Sequence, residues 1–484
     1  MTQYAKLTVL AASLLLAACH STVVPTASQV DLPAAFEQTR QAHGNQDVSH
    51  WWRQWHDPVL SRLIEEAVRQ SYDVRIAQSR LAEARANAGA AQADLGPMVG
   101  MKGSAGRLLD GQLDNPLSDR AKSVLRNIPG TGAVTADRFD LSGTHLSLGL
   151  SASWEPDIFG RKQSDADAAK SAALGAQAQL YGAQMLVAAD VADNYVKARA
   201  AQARMQAAKR SVATLQRMAQ YVNGRFKAGQ VTAYETGEIA SKLSAEQARV
   251  STLDAEYAAY VRNIAVLSGQ PPQSFRLPES GTDILAKLPD APSGQTPQGL
   301  LERRPDLLAH AAQVNAYAAK LASAKADLLP RFSIDFLAEG IRIDGNTALQ
   351  GWGSLLSAGI QVPIFTNGRI QANIRAADAR LQTALLQYDQ TLVKALGDVD
   401  NAYQAYRSLS RQNTLLAQSH QQAAKQADDS NKLFQYGEKT LDTALTARVS
   451  EIRMQESLIQ SRLARAQSLL ALYKALGGGW SAVE

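Results

Sequence analysis

Hydrophobic and polar positions along this chain follow two rhythms that come in the same order twice. From residue 146 to 154, Leu146, Leu148, Leu150, Ala152 and Trp154 alternate with Ser147, Gly149, Ser151 and Ser153. Period-two alternation predicts a strand. A weaker, glycine-rich partner lies around Met98 to Gly106. In the second half Phe332, Ile334, Phe336 and Ala338 alternate with Ser333, Asp335 and Leu337, and a further run covers Leu355 to Val362. Four strands are therefore expected, each near ten residues, a length that suits membrane-crossing strands as well as soluble ones. After each strand pair the texture changes. No proline occurs from Asp157 to Gln270 or from Ile364 to Glu484, and residues 165–208 hold 17 alanines. Proline breaks helices and alanine favours them, so each block reads as long helices with one turn, near Gly229 or Gly437. The first arm, roughly Ser164 to Asn223, would be about 90 Å long. Such an arm needs partners, because a lone helix cannot bury its apolar stripe.

The two halves are copies. Ala91, Ala93, Asp94, Leu95 and Pro97 recur as Ala324, Ala326, Asp327, Leu328 and Pro330, an offset of 233 that also relates Asp73 to Asp306. Further on the offset is 208. It relates Arg161 to Arg369, Asp190-Val191 and Tyr195 to Asp398-Val399 and Tyr403, and Phe226, Gly229 and Thr232 to Phe434, Gly437 and Thr440. An internal repeat of this kind predicts two versions of one structural unit. The offsets differ by 25, so the first half carries about 25 extra residues between Pro97 and Arg161. Residues 271–300 hold six of the sixteen prolines and read as an irregular connector.

Composition narrows the function. Of 484 residues 45% are hydrophobic, 20% charged and only 6% aromatic, and the net charge of +5 is spread thinly. There is no dense Lys/Arg run, which argues against nucleic-acid binding. The seven histidines, at 20, 43, 50, 56, 145, 310 and 420, lack metal-ligand spacing, and no G-x-S-x-G or phosphate-binding glycine loop occurs. No enzyme, metal site or cofactor is expected. At the start, Lys6 and an apolar run from Leu7 to Leu16 lead to Leu16-Ala17-Ala18-Cys19. The run is too short to span a bilayer. This stretch resembles the lipobox of bacterial lipoproteins, with Cys19, the only cysteine, as the lipid attachment site; the alternative is a plain secretory signal. His20 and Ser21 follow, with no Asp of the inner-membrane retention type, which favours the outer membrane.

Further motifs carry a family resemblance. These are Trp51-Trp52-x-x-Trp55-x-Asp57-Pro58, Leu300-Leu301-Glu302-Arg303-Arg304-Pro305-Asp306, Trp154-Glu155-Pro156-Asp157-Ile158-Phe159-Gly160, Pro363-Ile364-Phe365-x-x-Gly368-Arg369 and Leu476-Gly477-Gly478-Gly479-Trp480. Together and in this order they resemble the lipid-anchored members of the TolC-like outer-membrane efflux factor family. The resemblance implies a mainly α chain with a β-barrel portion. Each duplicated subunit would give four transmembrane strands and long periplasmic helices to a trimeric, twelve-stranded barrel and a helical barrel. The expected organisation is a signal peptide over 1–18, a lipid-anchored segment over 19–70, a first repeat over 71–270, the connector over 271–300, a second repeat over 301–478 and a tail over 479–484. The 25 extra residues would lie in a strand-to-strand loop around Arg107 to Gly143, facing outside the cell.

The implied function is an exit duct that passively exports drugs or other small toxic compounds. Its partners would be two further copies of itself, a periplasmic adaptor, an inner-membrane pump and outer-membrane lipid. A type I protein-secretion duct is the alternative within the fold, and a periplasmic coiled-coil scaffold lipoprotein the alternative outside it. The adaptor would meet the paired tips formed by Phe226, Lys227 and Gly229 and by Phe434, Gly437 and Lys439. There glycine would end the helix, and phenylalanine three residues earlier would pack across the reversal. The two lysines are the expected contact residues. Family members often place a gate aspartate nine residues after the glycine; here that position is Thr446. The nearby acids Asp442, Glu438, Glu235 and Glu238 are the candidates for a charged periplasmic mouth.

Overall fold

The computed structural model describes residues 28–37, 46–109, 112–128, 137–140, 143–345 and 349–480. The expected signal peptide, Cys19 and residues 481–484 lie outside them. The chain divides into two compact units.

The first unit comprises, among the described residues, 85–171 and 315–383. Its centre is one antiparallel sheet of β1 (Met98–Leu108), β4 (Gly143–Trp154), β5 (Arg331–Gly345) and β6 (Leu349–Gln361), in the order β1-β4-β5-β6. All four strands fall where alternation places them. β5 runs past Ala338 to Gly345, because β4 continues to pair with it there, Leu148 against Gly340 and Thr144 against Asp344. Between β1 and β4 lies the extra segment of the first half. It carries β2 (Gln112–Asp114) and β3 (Arg138–Asp140), paired with each other, and α3 (Asp119–Leu125). Ser118 caps α3 by accepting from the Ala121 amide, and Lys122 reaches Asp137 at 3.1 Å.

The helices come in matched pairs. α2 (Tyr72–Ala93) and α7 (Pro305–Ala326) each have 22 residues. α4 (Arg161–Lys227) and α8 (Arg369–Gln435) each have 67, about 100 Å of continuous helix. α5 (Ala233–Leu267) and α9 (Leu441–Ala475) each have 35. The pairs start 233 or 208 residues apart, as the duplication requires. The short helices α1 (Pro58–Gln70) and α6 (Pro297–Arg303) precede the two copies.

The second unit comprises, among the described residues, 28–37, 46–84, 172–314 and 384–480, and holds the main apolar core. Trp51, Trp52 and Trp55, on a single 3-10 turn, are all buried there, and Trp51 stacks on Tyr473 at 5.0 Å. Asp57, 1% exposed, caps α1 through one carboxylate oxygen, accepting from the amides of Val59 (2.8 Å) and Leu60 (3.1 Å). Its other oxygen accepts from the hydroxyls of Tyr195 (2.8 Å) and Ser280 (3.0 Å). Arg304 grips Asp306 with two hydrogen bonds and donates a third to the Ala475 carbonyl. Trp480 stacks on Tyr181 at 4.1 Å, while its indole N–H donates to the Arg303 carbonyl. Ile364 and Phe365 of the motif after β6 are 94% and 85% exposed, but the motifs at 51–58, 300–306 and 476–480 are packing devices. They tie the chain's start, connector and end to the long helices.

Candidate functional site

The sheet has two chemically distinct faces. In an antiparallel pair, residues directly opposite one another share a face. Register places Val99 and Met101 of β1 with Leu146, Leu148, Leu150 and Trp154 of β4. It adds Phe332, Ile334 and Phe336 of β5, then Trp352, Leu356 and Ile360 of β6. Most of these side chains are exposed, Trp352 at 80% and Leu356 at 72%, although they would supply a core if anything covered them. The opposite face carries Lys102, Ser104, His145, Ser147, Ser151, Ser153, Ser333, Asp335 and Glu339, with Leu337, Ile341 and Leu355 among them. Its polar groups bond to one another: Ser104 and Ser147 share a hydrogen bond of 2.8 Å, and Ser153 donates to Asp335 at 2.7 Å. From Phe332 to Gly340 the apolar face extends about 27 Å along the strand. An apolar band of this height facing lipid, backed by a hydrated polar face, is the pattern of an outer-membrane strand.

The second candidate is the pair of helical hairpin tips. At each, glycine adopts a left-handed conformation, φ +72° at Gly229 and +80° at Gly437. The Gly229 amide donates to the Phe226 carbonyl and the Gln230 amide to the Arg225 carbonyl, both at 2.9 Å. Gly437 and Glu438 repeat the arrangement onto Phe434 and Leu433, at 3.0 and 2.9 Å. This pattern satisfies the last carbonyls of each long helix. The expectation that phenylalanine packs across the reversal does not hold at Phe226, which is 44% exposed; Phe434 is half-buried. Backbone hydrogen bonds make the turn, so the ring is not needed for it. Lys227 and Lys439 are exposed. Below the tips, Leu215, Met218, Val222 and Ile239 pack with Leu445 and Val449, which joins the two hairpins.

The four candidate gate acids have different surroundings. Glu235 belongs to a capping box with Thr232, whose amide donates to it at 3.0 Å. The hydrogen bond from the Thr232 hydroxyl holds its carboxyl below the usual carboxylate range. Glu238 pairs with Lys242 one turn on, at 2.5 Å. Glu438 is exposed. Asp442, in the first turn of α9, is half-buried, and its Oδ1 is enclosed with no hydrogen-bond partner among the described residues. By the repeat, the counterpart of Thr446 is Glu238 and the counterpart of Glu235 is Thr443.

Ion pairs that sequence reading missed hold the hairpins together. Glu456 of α9 accepts from Arg204 of α4 (3.2 Å) and pairs with Arg249 of α5. Nearer the tip, Arg448 of α9 reaches Asp428 of α8 at 2.6 Å, and buried Glu451 meets His420 at 3.2 Å. These residues lie far apart in sequence and no local pattern marks them. Among the described residues, no cluster of His, Cys, Asp and Glu could hold a metal.

The profile of the family described as outer membrane efflux protein matches residues 63–270 and 296–478, the two repeats. The pyoverdine export outer membrane protein OpmQ of Pseudomonas aeruginosa is 28% identical over 476 residues, covering 98% of this chain and 97% of that protein. The toluene efflux pump outer membrane protein TtgC of Pseudomonas putida is 26% identical over 463 residues, covering 94% and 90%. The solved structure of the outer-membrane channel OprN superposes with a TM-score of 0.75 at 26% identity, covering 94% of this chain and all of that one.

Proposed function

This chain belongs to the outer membrane efflux protein family, and from that premise we propose that it serves as the passive exit duct of a tripartite efflux pump, working as a homotrimer. As a member it is an outer-membrane efflux channel that reaches into the periplasm, a conduit and not an enzyme. The observation that carries the trimer is the sheet. β1 and β6 are its edges, and an open edge in lipid leaves backbone N–H and C=O groups unpaired at a cost of several kcal/mol each. Three copies would close twelve strands into a barrel, with the apolar face on lipid and the serine-rich face on water.

A wall that mixes serines with charged and a few apolar side chains suits many solutes, which fits relatives named for compounds as unlike as pyoverdine and toluene. The cargo proposed here is likewise small and diffusible: drugs or other toxic compounds. The energy would come from an inner-membrane pump, joined to the duct by a periplasmic adaptor docked at Lys227 and Lys439. Cys19 would carry the lipid anchor after removal of residues 1–18.

Native mass in detergent together with planar-bilayer recording tests the duct. A three-chain particle with a reproducible conductance is expected; a single-chain particle that inserts no pores overturns the reading. Cysteines at Lys227 and Lys439 should cross-link to the cognate adaptor in cells. Intact mass should show a mature chain starting at an acylated Cys19, and a chain that keeps Met1 would refute the anchor.

A further inference from the structure

Within the second unit, α8, α9 and the connector meet around a cleft of about 610 Å³. That volume falls in the range of small-ligand sites, roughly 300–1,000 Å³. Three arginines line the cleft, Arg407 and Arg411 of α8 and Arg465 of α9, against one carboxylate, Asp290 of the connector. Positive charge is otherwise spread thinly along this chain, so the local surplus stands out.

Arg465 is held in place. Its guanidinium donates to the Tyr406 hydroxyl at 3.0 Å and lies 5.5 Å from the centre of the Tyr406 ring. The same hydroxyl donates to the Pro289 carbonyl at 2.9 Å, which ties both residues to the connector. Yet Arg465 makes no ion pair among the described residues, and its Nε is enclosed without a partner. Arg411 is exposed and also has no acidic partner among the described residues. Nearer the tip the charges of these two helices are paired, Arg448 with Asp428 and His420 with Glu451. Ser410 departs from its neighbours too. Thr383, Thr391 and Thr414 of α8 each donate to the carbonyl four residues back, at 2.9, 2.8 and 3.2 Å. The Ser410 hydroxyl makes no such bond and is enclosed with no partner. Donors with no acceptor of their own thus gather round one cleft, and a negatively charged, acceptor-rich group satisfies them together.

We propose that this cleft binds a phosphomonoester of about the size of a sugar phosphate. A guanidinium presents paired N–H groups that match phosphate oxygens. Arg407 and Arg411 stand about one turn apart on α8, and Arg465 approaches from the neighbouring helix, so a tetrahedral group is held from two elements. A carboxylate offers two oxygens, whereas a phosphomonoester offers three outside its ester link, which suits three guanidinium groups. A lone phosphate would fill only a small part of the volume. The rest of the lining is suited to hydroxyls. Gln404 lies seven residues before Arg411, about 10 Å from it along α8, and Asp290 follows the Pro289 that anchors Tyr406. The Gln404 amide donates and accepts, and the Asp290 carboxylate accepts from hydroxyls while repelling a second anionic group. All these residues belong to one chain, so the site does not depend on the homotrimer reading.

The test titrates the full-length protein, purified in detergent, with glucose 6-phosphate, inorganic phosphate and glucose at fixed ionic strength, followed by calorimetry. Glucose 6-phosphate is expected to bind about tenfold more tightly than inorganic phosphate, and glucose to give no measurable heat. Arg411→Gln and Arg465→Lys should each weaken the ester about tenfold, the second because lysine keeps the charge but loses the fork. Arg375→Gln, an exposed position on α8 outside the cleft, should leave binding unchanged. Arg411 is exposed, so its replacement leaves the packing intact, and native mass checks the particle for every variant.

Absence of heat with all three compounds at millimolar concentration would overturn the proposal. So would glucose binding as tightly as its phosphate, or ester binding that neither arginine variant moves. Inorganic phosphate matching the ester would overturn the sugar-sized occupant. A protein that binds the ester but forms no pores would refute the duct and leave this site standing, and a pore-forming protein that binds none of the three would do the reverse.

Discussion

Replacing Asp57 with alanine tests whether the N-terminal segment is clamped to the long helices by one carboxylate. In the native chain this side chain satisfies four donors: two amides at the start of α1, the Tyr195 hydroxyl on α4 and the Ser280 hydroxyl in the connector. Losing the cap costs about 1 kcal/mol. Tyr195 is fully buried; its oxygen still accepts from Arg199 at 3.2 Å, but its O–H donor loses its acceptor and adds about 1–3 kcal/mol, whereas half-buried Ser280 can turn to water and adds little. The total is about 3 kcal/mol, which lowers amide protection roughly hundredfold if α1 opens locally. Hydrogen-exchange mass spectrometry on peptides covering Pro58–Gln70 measures this directly, without requiring reversible unfolding of a membrane protein. Asp57→Asn keeps a capping oxygen and should lose much less. Tyr195→Phe should lose about 1 kcal/mol, and the double variant Asp57→Ala/Tyr195→Phe should fall short of the sum by about 1 kcal/mol or more. Protection within twofold of wild type in Asp57→Ala, or strict additivity in the double variant, would refute the clamp.

Gly477→Ala should be far more damaging than Gly229→Ala. Both have left-handed backbones, but a Cβ at Gly477 would meet the Arg303 carbonyl oxygen at 2.8 Å, while at Gly229 nothing lies within 4 Å. The tip variant should therefore show only the backbone strain of about 1 kcal/mol in thermal scans. Burial raises the carboxyl pKa of Asp306, but the Arg304 hydrogen bonds and charge outweigh it, and the pKa ends below its usual value. A depressed carboxylate stabilises the fold above its unfolded pKa of about 4 and stops doing so as pH falls through the lower folded value. Asp306→Asn should thus weaken the protein at neutral pH and flatten the acid limb of a fluorescence-monitored stability profile; an unchanged acid limb would exclude the pair. Glu456→Ala removes the ion pairs from α9 to α4 and α5, and single channels should then show a raised resting conductance, whereas wild-type leakage would mean that these pairs do not restrain the hairpin. Asp442→Ala should lower cation selectivity in the same recordings, and unchanged selectivity would remove it from the mouth.

Much of the architecture was legible because it is periodic or repeated. Alternation located all four strands, absence of proline delimited both long-helix blocks, and the 233 and 208 offsets match the equal helix lengths. What depends on convergence was not legible. Asp57 lies 138 residues from Tyr195 and 223 from Ser280, so only its capping role, foreshadowed by the following Pro58, is local. The acids near the tips show the same limit. Glu235, Glu238, Glu438 and Asp442 look alike as residue types, yet one caps a helix, one pairs with a lysine, one is exposed and one has an enclosed, unpartnered oxygen. The inserted β2, β3 and α3 are too short for periodicity to declare them.

Where the two halves agree and where they differ follows the demands on each part. The hairpin registers are identical after translation by the repeat, so the two hairpins contribute equally to the total stagger that a closed wall fixes. The tips keep few identities: phenylalanine, glycine and threonine recur at 226, 229 and 232 and at 434, 437 and 440. Their charges have diverged. Gln230 and Val231 correspond to Glu438 and Lys439, Tyr234 to Asp442, Glu235 to Thr443 and Glu238 to Thr446. The first hairpin's tip is fastened by a capping box, while Thr440 at the start of α9 caps no amide with its side chain and hydrogen-bonds Thr443 instead. Two equivalent hairpins with unequal fastening give a mouth in which one set can move against the other. The second hairpin, α8 and α9, is therefore the one expected to swing when the duct opens. Spin labels at Lys439 and Lys227 test this: on opening, distances between copies should widen more at Lys439 than at Lys227, and equal widening would mean that the divergence at the tips has no mechanical role.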